Sequence, residues 1–168
     1  EVLGFLVATM RDEADADDVF AQLCEDVWRG APSFRGDASI RTWLYVLARN
    51  AAHRFRRDPL RRRGAALSDC AAVSAIEAEI RERTRSYLRS EVRDRVARLR
   101  EALDPDDRML LVLRVDRGMS FREIAKVFAD ASGGPEGEDK RREAALRKRY
   151  ERVKERIREL ARTDAGTR

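Results

Sequence analysis

One histidine and two cysteines in 168 residues leave little from which to build a metal centre. Cys24 and Cys70 lie far apart in sequence and outside any Cys-x-x-Cys pattern, so neither a zinc site nor a structural disulfide is expected, and His53 cannot complete a ligand set with them. Glycines (nine) and aromatics (7%) are scarce, and no segment alternates apolar and polar residues with the period of a strand. There is no apolar run of the roughly 18 residues a membrane span needs, and no signal peptide, which reads as a cytoplasmic chain with no membrane insertion. There is no nucleophile–base set and no glycine-rich phosphate loop after a strand, so catalysis and a bound cofactor are not expected. Asp15, Asp17 and Asp18 could suggest magnesium, but at a helix start capping is the simpler account. An initial Met is also missing, and the chain opens inside an apolar helix, which reads as a fragment lacking its natural N-terminus.

What is present is charge, at 40% of residues against 43% apolar, with a net of +5. High charge with clear helical periodicity suggests small helical bundles with wide solvated faces, and the positive balance favours a polyanionic partner. The distribution says more than the total. Residues 1–28 carry eight acidic groups against Arg11; residues 35–63 carry nine arginines against Asp37 and Asp58; residues 140–162 carry eleven basic groups against four glutamates. Segments of opposite sign are expected to meet different partners.

The segment from Ser39 to Arg57 organises the chain. Ile40, Trp43, Leu44, Leu47, Ala48, Ala51 and Phe55 recur at helical spacing, with Ser39 placed to cap. This predicts an inward stripe that includes Trp43. The other face then holds Arg41, Thr42, Tyr45, Arg49, Asn50, His53 and Arg54. It offers cations for phosphates, an amide for a base edge and a phenol ring that can stack on a base. Before it, Val2, Leu3, Leu6 and Met10 mark a short helix. Asp15 to Asp18 open a second, with Ala16, Val19, Phe20, Leu23 and Val27 inward, and Gly30 to Asp37 form a loop.

Asp58-Pro59 stops the organising helix. Residues 59–72 read as a linker, and helical pattern resumes near Val73 and runs to Leu103. Asp104-Pro105 restarts a helix, with Met109, Leu110, Val112 and Leu113 inward and Gly118 as its C-cap. Ser120 and Glu123 form a capping box opening a short helix with Phe121, Ile124, Ala125, Val127 and Phe128. A glycine-rich loop, 129–139, precedes a last helix to about residue 162 with Leu146, Tyr150, Val153, Ile157 and Leu160 in a stripe. A capped short helix followed by a basic helix suggests helix-turn-helix: the second helix enters the major groove, where Arg and Lys reach guanine edges or phosphates. The fold class is therefore all-α. Two small helical domains, 1–57 and 92–162, are joined by a partly helical linker, 58–91, with a tail at 163–168.

These blocks resemble a known family. The residues from Asp15 to Phe55, with Phe34-Arg35-Gly36-Asp37 and then Thr42, Trp43, Leu44, Tyr45, Ala48 and Asn50, are similar to region 2 of the extracytoplasmic-function (ECF) sigma factors of the bacterial sigma-70 family. Downstream, Leu103, Pro105, Arg108, Leu113, Arg114, Gly118, Ser120, Glu123, Ile124 and Ala125 resemble region 4. The ordered set covers about two-thirds of the chain. The loop before the last helix is longer than the family norm, the start of region 2 is short, and His53 and Arg54 depart from the pattern, with a further phosphate contact as one reading.

The resemblance implies a sigma factor that directs core RNA polymerase to promoters and assists their opening. Asp17, Asp18, Gln22, Glu25, Asp26 and Trp28 would dock on the β′ clamp helices. Phe34, Arg35, Asp37, Ser39, Arg41, Tyr45, Arg49 and Asn50 would open the −10 element and hold an extruded base. Arg122, Arg147, Lys148, Arg149 and Arg152 would read the −35 element, and region 4 would meet the β flap. An anti-sigma partner, common in the family, is a further implied partner. The alternative is a stand-alone helix-turn-helix regulator whose first block dimerises or senses a ligand. A helical protein that never touches nucleic acid is opposed by the two strongly basic segments.

Overall fold

The structure is a computed structural model and describes residues 1–10, 12–57, 98–129 and 138–166. The linker and helix expected over 58–97, and residues 130–137 of the expected loop, lie outside the described residues. The chain divides into two compact units, Glu1–Arg89 and Ser90–Arg168. Every described element is helical.

The N-terminal unit packs three helices, α1 (Val2–Thr9), α2 (Glu13–Gly30) and α3 (Ile40–Arg57), each against the other two. Helix α2 begins earlier than the aspartate run suggested, because the Asp12 carboxylate accepts from Ala14 N (3.0 Å) and supplies the cap. It ends in a 3₁₀ turn, Ala31–Ser33, carrying Pro32. Helix α1 buries Leu3, Phe5, Leu6 and Thr9, α2 buries Ala16, Val19, Phe20 and Leu23, and α3 buries Thr42, Tyr45, Ala48, Ala51, Ala52 and Phe55. The Arg56 guanidinium donates to the carbonyl of Thr9 (3.3 Å), placing a cation at the C-terminal end of α1, where the helix dipole favours it.

The third helix corrects the expected face in part: Ala48, Ala51 and Phe55 are buried as expected, and the bulky half of the stripe is not. Trp43 is not core: it is half-buried with Leu44 and Leu47, Ile40 is 63% exposed, and Tyr45 is fully buried. The Tyr45 ring meets Phe5 edge-on at 5.3 Å and 78°. Small side chains decide the rotation. Ala48, Ala51 and Ala52 let the neighbouring backbones come close, and one large flat ring fills the space that remains. The bulkier Trp43–Leu47 stripe would hold the helices apart.

In the C-terminal unit, α4 (Pro105–Leu111) starts at Asp104-Pro105 as expected and continues into a wide turn, Val112–Asp116, where Arg117 N reaches back to Val112 O (3.1 Å). Gly118 follows at φ 64°, a left-handed backbone that glycine adopts without strain. Helix α5 (Phe121–Val127) opens on the expected capping box: Ser120 Oγ accepts from Glu123 N, and the Glu123 carboxylate accepts from Ser120 N (2.8 Å). Helix α6 (Glu138–Gly166) extends past the predicted end and packs on α4 and α5. Its stripe holds as read: Leu146 and Val153 are buried, and Tyr150 and Ile157 pack against Leu103, Leu111 and Val153.

Candidate nucleic-acid interface

Two features of the N-terminal unit hold the residues singled out from the sequence. The first is the loop after α2 with the start of α3. Ser39 Oγ accepts from Thr42 N (3.1 Å) and bonds Thr42 Oγ1 (2.9 Å), so this hydroxyl is spent on capping α3 and fixing the entry of the loop. Trp43 then lies across the end of α2. A Cβ on Gly30 would come within 3.1 Å of its ring, so the glycine makes room for the indole. Phe34 packs on the other aromatic, with centroids 5.0 Å apart and planes at 42°. Around this pair the loop exposes Arg35 and Asp37, separated by Gly36 at φ 80°.

Arg41 is exposed, reaches Glu1 (3.3 Å) and stands 5.9 Å over the Tyr45 ring; so solvated a pair contributes little to stability. Arg49 and Asn50 are half-exposed. Of the residues expected here, the structure therefore brings Phe34, Arg35, Asp37 and Arg41 to the surface together. It withdraws Tyr45, and it supplies Trp43 in its place. The alternation of Tyr45 with Ala48, Ala52 and Phe55 was the available signal, since small residues mark where helices approach.

The second feature is α2. Asp18, Gln22, Glu25 and Arg29 recur at helical spacing away from the buried stripe, and Glu25 accepts from Gln22 (3.5 Å) and Arg29 (3.1 Å). Asp17 is half-buried and Trp28 is 84% exposed. Asp26 is not free for a partner: it is ion-paired with Arg54 of α3. Arg54, read from sequence as a further phosphate contact, is held by this pair while its side chain stays half-exposed.

Burial, and then the neighbouring Asp15 and Asp17, push the Asp18 carboxyl above its ordinary 3.8. A raised carboxylate is stabilising when protonated, and that contribution disappears as pH rises through the folded value. Asp18→Asn is therefore expected to raise the thermal midpoint of the full chain at neutral pH. The difference should close as the pH falls below about 3.8. Melting curves from pH 3 to 7, followed by circular dichroism, check it; a destabilised variant at pH 7 refutes it.

In the C-terminal unit, Arg122, Arg147, Lys148 and Arg152 are exposed on α5 and α6. Arg149 departs from its expected role: it is half-buried and ion-paired with Asp107 of α4, so it braces α6 instead of facing outward. Among the described residues no helix is long and apolar enough to cross a membrane.

Residues 1–63 match the family model for Sigma-70 region 2. The chain is 32% identical over 138 residues to the RNA polymerase sigma-H factor of Pseudomonas aeruginosa, covering 76% of this chain and 69% of that one. It is 34% identical over 138 residues to the ECF RNA polymerase sigma-E factor of Escherichia coli K12, covering 73% and 67% respectively. The sigma-E factor of Salmonella typhimurium LT2 gives the same identity and coverage. No solved structure matches.

Proposed function

The chain belongs to the extracytoplasmic-function sigma factors of the sigma-70 family, and from that premise we propose how its surfaces divide the work of transcription initiation. It is an RNA polymerase sigma factor, and so a DNA-binding initiation factor. Its N-terminal unit meets core polymerase through the acidic face of α2, with Asp17, Asp18, Gln22, Glu25 and exposed Trp28 against the β′ clamp helices. The Phe34–Trp43 pair receives an unpaired base of the −10 element, with Arg35, Asp37, Arg41, Arg49 and Asn50 around it. Extrusion costs a few kcal/mol, and stacking on an aromatic offsets it by about 1–3 kcal/mol per base.

The C-terminal unit reads the −35 duplex through Arg122, Arg147, Lys148 and Arg152 and meets the β flap. The chain performs no catalysis of its own and works in the cytoplasm, beside polymerase and DNA. An anti-sigma partner would silence it by covering the Trp28 surface and exposed Ile40.

The observation that carries this reading is the pairing, within one small unit, of an acidic helix face with a half-buried aromatic pair flanked by arginines. The test is run-off transcription from a library of genomic fragments by core RNA polymerase, with and without the chain. Transcripts from a few sites only when the chain is present, with thymines near −10 becoming reactive to permanganate, are expected. Tight sequence-specific duplex binding with no transcript would instead favour the stand-alone regulator.

A further inference from the structure

The guanidinium of Arg147 does not stand alone on the outer face of α6. Its Cζ lies over the ring of Phe121, 5.3 Å from the centroid, and its Nη2 donates to Glu143 (2.6 Å) one turn earlier. The same ring carries a second guanidinium, Arg114, at 4.8 Å, which is anchored in turn by donating to the carbonyl of Met119 (2.8 Å). Tyr150 meets Phe121 edge-on at 5.6 Å, and Lys154 stands 5.1 Å over Tyr150. Two like charges stand over one aromatic ring at the junction of the wide turn, α5 and α6. The ring quadrupole offsets their repulsion.

We propose that Phe121 is a positioning residue for DNA reading: its ring, with Glu143, holds Arg147 in one orientation, so that base discrimination by this arginine depends on a side chain of the preceding helix. This rests on the assignment of α6 to the −35 duplex made above. The physical reason is the geometry of the arginine fork. Two parallel N–H donors match a guanine edge in one orientation only, whereas phosphate can be met from many. A long exposed side chain samples many rotamers unless something fixes it. Stacking leaves the edge of the guanidinium open while restricting its plane. Phe121 therefore acts on specificity more than on affinity. Leucine at 121 retains apolar bulk and loses the quadrupole; tyrosine retains both.

The test uses the full chain bound to core polymerase and promoter duplexes selected from a library randomised at −35. Binding is measured on the selected sequence and on single-base variants, over a range of salt. Phe121→Leu is expected to reduce discrimination at one base pair by about threefold to tenfold, with the salt slope unchanged. Phe121→Tyr is expected to keep it. Arg147→Ala is expected to lose the same discrimination and lower the slope by about one. The double variant should discriminate no worse than Arg147→Ala alone. If Phe121→Leu weakens every sequence equally, or if Arg147→Ala loses discrimination that Phe121→Leu keeps, the positioning role is overturned while the −35 assignment stands. If Arg147→Ala leaves discrimination intact, the assignment of this arginine to base reading falls, and the inference falls with it.

Discussion

Truncating Tyr45 to alanine is expected to unfold the N-terminal unit, with loss of polymerase binding as a consequence. The ring is fully buried, edge-on to Phe5, in a core whose other α3 members are Thr42, three alanines and Phe55. Nothing large stands on α3 beside it to collapse into the space. A buried aromatic cut to alanine costs about 3–5 kcal/mol, a large fraction of the roughly 5–15 kcal/mol that holds a domain together. Both tryptophans, Trp28 and Trp43, belong to this unit, so indole fluorescence during urea denaturation reads it selectively. The midpoint should fall sharply for Tyr45→Ala, and holoenzyme formation should fall in step.

Trp43→Ala should behave in the opposite way. Its ring is half-exposed, so the variant should keep a cooperative transition and core binding, while promoter opening drops by about tenfold, the value of one lost base stack. Were Tyr45→Ala to melt like the wild type and lose only promoter opening, the rotation of α3 described here would be wrong.

The second large effect is expected in the other unit, at Arg108. This side chain is 2% exposed, a charge almost wholly removed from water. Its Nε donates to Arg100 O (2.9 Å) and its Nη2 to Glu101 O (2.8 Å) and Leu103 O (3.4 Å). These carbonyls sit where the helical segment ending at residue 101 gives way to a turn, and Arg100 O also accepts from Leu103 N (3.0 Å). One planar fork therefore terminates that turn and ties it to α4. Arg100 strengthens the same junction through a two-point contact with Asp116, both distances 2.8 Å.

Arg108→Met keeps the apolar stem and removes the guanidinium donor from Glu101 O and Leu103 O, at a cost of about 1–3 kcal/mol for each acceptor left unpaired. Arg108→Lys is expected to fall between, because an ammonium restores charge without the fork. Circular dichroism of the full chain should show the helix of this unit lost at lower urea, together with binding to −35 duplex. The tryptophan signal reports the other unit and separates the two losses. Unchanged duplex binding by a fully folded Arg108→Met chain would refute the assignment of this buried charge.

Local chemistry was readable in the sequence because its causes lie within a few residues. The capping box at Ser120 and Glu123, the cap at Ser39, the restart at Asp104-Pro105 and the left-handed glycine at 118 each depend on neighbours three or four positions away. The inward stripe of α6 was equally plain, since only one side of that helix is apolar. The ordered motifs were enough to identify the family.

Helix α3 was different because it has two apolar sides: one bulky, from Ile40 through Trp43 to Leu47, and one small, from Tyr45 through Ala48 and Ala52 to Phe55. Periodicity ranks both as core. Which one turns inward depends on how closely α1 and α2 approach, and that distance exists only once three helices pack. The same holds for Arg54 and Arg149, whose acidic partners lie 28 and 42 residues away, and for Arg147, whose ring platform is on another helix. The sequence by itself determined the described helices, several of their caps, the sign of each charged segment and the family. Only tertiary structure decided which side of α3 turns inward and that Arg54 and Arg149 are ion-paired within the fold, because both depend on contacts between residues distant along the chain.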